Sequence, residues 1–199
     1  MPLFKTPFSR AYWREASHEL GKLRVNSFCA LMIAAAVILS AFVRIPLAPN
    51  LDLTTSFVAR ALCAWVAGPV AGLLFGFTED ILGYLLHPRG PYFPGYTLNT
   101  MLAVFLYGLF FYRQKVTVLR IFLVKLLVNY PINVGLGCLW NWYLTGKAYL
   151  VILGTSAVKN TIYLPFQVLM ILVLFRALLP ALQRTGLLSP QQGNRIPWF

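Results

Sequence analysis

The chain predicts an all-α integral membrane protein of six transmembrane helices, with both termini cytoplasmic. Three observations carry that reading. Hydrophobic residues make up 59% of the 199 residues and charged residues only 11%, and the mean hydropathy is +0.70. That length holds about six spans of roughly 20 residues and little else, which excludes a sizeable soluble domain. The basic residues alternate in density between successive inter-span segments, as membrane topology requires.

The elements follow in order. Residues 9–24 place Tyr12, Trp13, Ala16, Leu20 and Leu23 at helical spacing among Arg10, Arg14, Lys22 and Arg24, which predicts an amphipathic helix lying on the membrane surface. These polar, basic residues precede the first apolar run at Val25, so they do not read as a cleavable signal. The first span covers about 26–43. A loop with Pro46, Pro49 and Asn50 leads to a short second span near 53–67. Gly68-Pro69 suits a helix break with proline opening the next helix, so the third span is about 69–87. A Pro/Gly/aromatic loop covers 88–96, and spans follow at about 97–112, 118–143 (containing Pro131) and 155–179 (containing Pro165). The tail after Pro180 reads as loosely ordered. The expected organisation is a cytoplasmic N-terminal segment 1–25, a membrane domain 26–180 and a cytoplasmic tail 181–199.

Orientation comes from the charges. With the N-terminus inside, the inner segments hold Lys5, Arg10, Arg14, Lys22, Arg24, Arg113, Lys115, Arg120, Arg176, Arg184 and Arg195, against only Arg44, Arg89 and Lys147 outside. The net charge of +12 is therefore explained by topology and contact with anionic lipid, without nucleic acid. Cys29, Cys63 and Cys138 are an odd set with no CxxC spacing, and they read as small buried hydrophobes rather than metal ligands or a disulfide.

The most informative stretch is Gly68–Tyr84. At about 100° per residue, Gly72, Gly76, Glu79, Asp80, Gly83 and His87 share one helix face. An intramembrane carboxylate costs several kcal/mol unless it meets a partner or water, so this face should look into a cavity of the bundle. Sorting by depth puts Glu79, Asp80, Lys159 and Asn160 in the outer half, with Asn129, Asn133 and Trp140 on one face of span five. Arg60 lies mid-span, and Lys125 lies in an inner half from which it would snorkel to the cytoplasm. The distribution describes a solute site open to the exterior. Each piece also has a structural reading: Glu79 and Asp80 pairing with Arg60 or Lys159, Asn129 and Asn133 as interhelical glue, and the aromatics as an interfacial belt. On span one, Ala30, Ala34 and Ala41 share a face, and Ala30-x-x-x-Ala34 lets another helix approach closely, whether in this chain or in a partner.

These residues resemble the substrate-binding S-components of energy-coupling factor (ECF) vitamin transporters, and among them the folate family. The similarity covers roughly 28–178. It is carried by Gly68-Pro69-x-x-Gly72-x-x-x-Gly76-x-x-x-Asp80-x-x-Gly83, by Tyr92-Phe93-Pro94-Gly95-Tyr96-Thr97-Leu98, and by Lys159-Asn160 with Pro165-Phe166-Gln167. The resemblance implies a six-helix fold in a prokaryotic cell membrane and a vitamin site near the outer surface. It also implies docking through the Ala30/Ala34 face on an integral coupling subunit that works with two cytoplasmic ATPases. The chain itself has no phosphate-binding Gly-x-x-x-x-Gly-Lys-Ser/Thr sequence, so no cofactor and no enzymatic activity are expected of it. Ring stacking falls to Tyr92, Phe93, Tyr96 and Trp140, with hydrogen bonding from Asn129, Asn133, Asn160 and Glu79 or Asp80. Two positions depart from the family pattern: Asp52 and Ser156 stand where basic residues are usual. The tail carboxylates of a folate-like ligand would then fall to Lys159, Arg89, Lys147 or Arg44. A less anionic vitamin, such as thiamine, a pyrimidine precursor or pyridoxine, is the alternative ligand. A scaffold protein of the cell-shape type and a membrane enzyme are the rival classes. His18 and His87, the only histidines, fall on opposite membrane sides, which disfavours the enzyme.

Overall fold

Long apolar runs punctuated by glycine and proline produce a bundle of long helices. The computed structural model describes residues 9–42, 44–48, 51–88, 91–188 and 196–198. In chain order the helices are α1 (Arg10–His18), α2 (Leu23–Phe42), α3 (Phe57–Leu86), α4 (Pro94–Phe111), α5 (Val118–Leu127), α6 (Gly137–Thr145) and α7 (Tyr149–Arg184). Five helical stretches are long and apolar enough to cross a membrane: α2, α3, α4, the continuous run Val118–Thr145 and α7. The molecule is a multi-pass membrane protein.

The loop after the first span is not irregular. β1 (Arg44–Ala48) and β2 (Leu51–Thr54) form an antiparallel hairpin pairing Arg44 with Thr54 and Ile45 with Leu53. The second helical run accordingly starts at Phe57 rather than near 53, because residues 51–54 are committed to the strand.

α3 is not one straight rod. Gly68 has φ +84° and ψ −177°, outside helical space, and Pro69 follows it. Arg60 and Glu79, 19 residues apart, nevertheless touch at 2.8 Å. In a straight helix that separation is about 28 Å, so the arms 57–67 and 69–86 fold back on one another at Gly68. Only glycine adopts this φ without strain. A Cβ here would also meet the Tyr112 ring at 3.0 Å.

The second arm then packs tightly on α4. A Cβ on Gly76 would lie 2.9 Å from the Met101 Cα, one on Gly72 3.0 Å from Val104, and one on Gly108 2.5 Å from the Pro69 nitrogen. The glycine face therefore meets a neighbouring helix and does not line a cavity, which corrects the sequence reading. Close backbone approach gains dispersion contact where lipid supplies no hydrophobic drive. In the core, Trp65 of the first arm stacks on Phe175 of α7 at 4.2 Å, with Phe111 of α4 edge-on to Phe175 at 5.2 Å.

Between α5 and α6 the backbone is π-helical over Val128–Leu136, with Pro131 inside. Proline cannot donate to the preceding turn, and a wider turn absorbs the mismatch. Two ends of the bundle are thus defined. One carries the hairpin, the α3–α4 connection and the α6–α7 turn, where Gly146 adopts φ +66°. The other carries α1, the Gly68 reversal and the α4–α5 connection.

α1 does not lie free on a surface. Tyr12 and Ala16 are fully buried against Tyr112, with Val70 and Leu109 beside them. The Tyr12 hydroxyl donates to the Gly108 carbonyl at 3.0 Å, and burial pushes this phenol above its ordinary range, so it keeps the proton it donates. Arg113 pairs with Glu15 at 3.0 Å and Glu19 at 2.9 Å. The end of the chain is also placed: the Val118 and Leu119 amides donate to the carbonyls of Pro197 and Trp198, so this part of the tail caps α5 instead of being loose. Cys63 and Cys138 are buried, and Cys29 is half-buried with its Sγ 3.2 Å from that of Cys63; all three are free thiols.

Candidate functional site

Helix reversals bring polar residues from four helical runs to one cavity of about 370 Å³, in the half of the bundle toward the hairpin. The first turn of α3 contributes Ser56 and Arg60, and α4 contributes Asn99, Thr100 and Tyr107. α5 with the π segment contributes Lys125 and Asn133. Ser156, Lys159, Asn160 and Gln167 come from α7. A cavity of this size with convergent polar groups is the usual form of a small-molecule site.

The two adjacent carboxylates take different roles. Glu79 is 3% exposed and receives a two-pronged contact from Arg60, Nε to Oε2 at 2.8 Å and Nη2 to Oε1 at 2.9 Å. That planar fork is the strong form of a charge-assisted pair. Asp80 instead accepts from Thr97 at 2.7 Å and Thr100 at 3.2 Å, both one turn apart on α4. Neither carboxylate is on the cavity wall. The glycine face seats α3 against α4, and that seating brings Asp80 to the two threonines.

Lys125 is the main correction. It does not snorkel: it is 1% exposed, and its Nζ donates to the Tyr107 hydroxyl at 3.2 Å and sits 4.6 Å over the Phe57 ring. The stem follows the inward face of α5 into the cavity, where the Tyr107 hydroxyl and the Phe57 ring meet the ammonium even though the Arg60 guanidinium shares the same cavity. Lys159 is half-buried on the wall with its Nζ 5.7 Å from the Tyr163 ring. Among the described residues no carboxylate pairs with Lys125 or Lys159.

The amides divide. Asn133 and Asn160 reach the cavity. Asn129 is fully buried behind it, donating to Gln167 Oε1 at 2.8 Å and leaving its own Oδ1 without a partner among the described residues. The π-helical turn separates Asn129 from Trp140, whose indole donates to Asn99 at 3.1 Å.

Tyr92, Phe93, Tyr96 and Trp140 gather together but do not line the cavity. Phe93 lies 5.6 Å from Trp140 and 5.9 Å from Tyr96, and Tyr92 hydrogen-bonds Thr97 at 2.8 Å. Tyr92 and Tyr96 are exposed. Arg89 lies outside the described residues, as does the side chain of Arg44, and Lys147 sits on the exposed α6–α7 turn. On α2, Ala30 and Ala34 are exposed, and Ala41 is half-buried; the buried side of this helix is Val25, Ala36 and Val37.

Sequence reasoning missed Arg60, Lys125, Tyr107 and Gln167 as cavity residues. The signal was present for Arg60, a mid-membrane arginine 19 residues before a glutamate with Gly-Pro between them. Tyr107 offered none, because a tyrosine inside an apolar span reads as core.

A multi-pass helical bundle with a cationic, small-molecule-sized cavity near one end defines a solute-binding membrane protein. The family described as "ECF transporter, substrate-specific component" matches residues 28–175. The chain belongs to that family. It is 33% identical over 150 residues to the folate transporter FolT of Clostridium novyi (strain NT), covering 75% of this chain and 87% of that protein. The folate transporter FolT of Leuconostoc mesenteroides subsp. mesenteroides is 28% identical over 146 residues, covering 70% and 77%. A crystal structure of FolT bound with folic acid superposes with a TM-score of 0.66 at 30% identity, covering 74% of this chain and 89% of that one.

Proposed function

We infer that this chain is the substrate-binding subunit of an ECF-type importer, and that it captures folate or a related pterin at the outer side. The observation that carries the ligand class is charge. Three cations, Arg60, Lys125 and Lys159, line the cavity, and among the described residues no aspartate or glutamate does. Glu79 neutralises Arg60 alone. Among the described residues Lys125 and Lys159 have no acidic partner, and a buried or half-buried positive charge is costly to desolvate without an anion. Folate carries two carboxylates on its glutamate tail, which matches that surplus. The names of the relatives point to the same ligand.

The hydrogen-bonding heterocycle would meet Asn133, Asn160, Gln167 and Asn99, and the Phe93–Tyr96–Trp140 cluster would close over it. The reversal at Gly68 supports six membrane crossings in place of five long helices. The distribution of basic residues then sets both termini and α1 in the cytoplasm. The exposed Ala30 and Ala34 on α2 offer a small-residue surface to the integral coupling subunit, with two ATPases supplying the energy.

A competition panel on purified protein tests the ligand. Folate should displace a labelled folate far better than a tail-less pterin, thiamine or pyridoxine. Equal competition by a neutral vitamin would overturn the charge argument.

A further inference from the structure

α1 is a cationic helix, and the carboxylates on it and just past its end are engaged away from Arg10 and Arg14. Glu15 and Glu19 both pair with Arg113, and Tyr12 and Ala16 are buried against Tyr112. Arg10, Arg14 and Ser17 are left exposed together on a third side of the helix, around a shallow recess of about 460 Å³ that Trp13 completes. Arg10 and Arg14 are four residues apart, so their side chains are neighbours, and like charges at that spacing disfavour the helix. Among the described residues neither arginine has an acidic partner. Trp13 is partly exposed and stacks on Phe105 of α4 at 6.1 Å, interplanar angle 27°. Phe105 belongs to a membrane-crossing helix, so the recess lies where apolar bundle surface gives way to water.

We propose that Arg10, Arg14 and Ser17 form a binding site for the phosphate headgroup of an anionic phospholipid in the leaflet on the α1 side. The two guanidinium groups share one phosphate through charge-assisted hydrogen bonds, the geometry arginine favours. The Ser17 hydroxyl, which donates to the Arg14 carbonyl at 2.8 Å, still has acceptor capacity and faces the same recess. Trp13 and Phe105 take the first acyl segment at the interface, where aromatic rings prefer to sit. Because α1 is bolted to α4 and the Gly68 reversal, a bound lipid fixes the height of this end of the bundle in the membrane. The residues that hold the headgroup, Arg10, Arg14 and Ser17, lie outside the stretch matched by the family, 28–175, while Phe105 lies within it. The site is independent of the ligand proposed for the central cavity.

Full-length protein in detergent is titrated with short-chain phosphatidylglycerol, short-chain phosphatidylcholine or inorganic phosphate, and thermal unfolding is read. Phosphatidylglycerol should raise the unfolding temperature saturably, and the other two should not. In Arg10→Ala/Arg14→Ala the half-saturating phosphatidylglycerol concentration should rise at least fivefold, with folate affinity unchanged. The control Lys115→Ala/Arg184→Ala, two exposed cations elsewhere on the same end, should respond as wild type. Equal shifts with phosphatidylcholine would overturn the headgroup assignment, and an equal shift with inorganic phosphate would make the site one for free anions. Loss of the shift in the Lys115/Arg184 control would reduce the effect to diffuse charge.

Discussion

Replacing Lys125 by methionine should move stability and affinity in opposite directions. Lys125 is 1% exposed, meets a phenol oxygen at 3.2 Å and an aromatic face at 4.6 Å, and lies in the same cavity as Arg60. Keeping an ammonium there without a carboxylate carries a desolvation cost, and exchanging buried charges for apolar side chains of similar volume gains about 1–4 kcal/mol in measured cases. Methionine matches the length of the lysine stem and fills the same space. Lys125→Met should therefore raise the unfolding temperature of the ligand-free protein by several degrees. Its affinity for folate should fall, because a charge-assisted hydrogen bond contributes about 1.5–3 kcal/mol, equivalent to roughly 10- to 150-fold in Kd. Detergent-phase thermal unfolding and fluorescence titration of the same preparations read both quantities. A tail-less pterin should lose much less. If Lys125→Met weakens the apo protein and leaves folate affinity intact, the ammonium is a structural element and the charge reasoning fails.

Three further substitutions probe other parts of the account. Glu79→Ala strands Arg60 in the bundle and should destabilise by about 3–5 kcal/mol, seen as a much lower unfolding temperature; Arg60→Met/Glu79→Met should recover most of that loss, and no recovery would place the damage elsewhere. Gly76→Leu forces α3 away from Met101, which a Cβ would already approach at 2.9 Å, and it should pull Asp80 from Thr97 and Thr100; protein that stays monodisperse and binds normally would refute the close-packing role. Ala34→Trp adds about 150–250 Å² of ring to an exposed position on α2, so ligand binding should persist while co-purification with the coupling subunit is lost. Joint loss of binding and assembly would mean that this face packs within the chain.

Much of the architecture was legible because membrane spans announce themselves. Gly68-Pro69 and the basic clusters marked boundaries, and the break at Gly68 was placed to the residue. The hairpin at 44–54 was not, since Pro46 and Pro49 read as loop, and strand pairing depends on a partner that propensity does not see. The site was legible in part. Lys159, Asn160 and Asn133 reach the cavity because helical periodicity kept them on inward faces. Asn129 and Trp140 diverged because a π-helical turn around Pro131 resets the phase between them. Lys125 was misplaced for a physical reason: depth along a span says how far a cation is from water, but rotation about the helix axis decides whether it faces lipid, water or a cavity. Glu79 and Asp80 were recognised as needing partners. Arg60 was among the partners named for them and pairs with Glu79, whereas the two threonines that serve Asp80 are visible only in the fold.

The claim at the centre of this account is that the cavity holds a dicarboxylate pterin. Mass spectrometry of the small molecule that remains bound through detergent purification tests it without assuming a ligand. A folate-type compound with its glutamate tail, retained by wild type and lost from Lys125→Met/Lys159→Met, is the result expected. Stoichiometric recovery of a neutral vitamin, or a folate retained equally by both proteins, would contradict it.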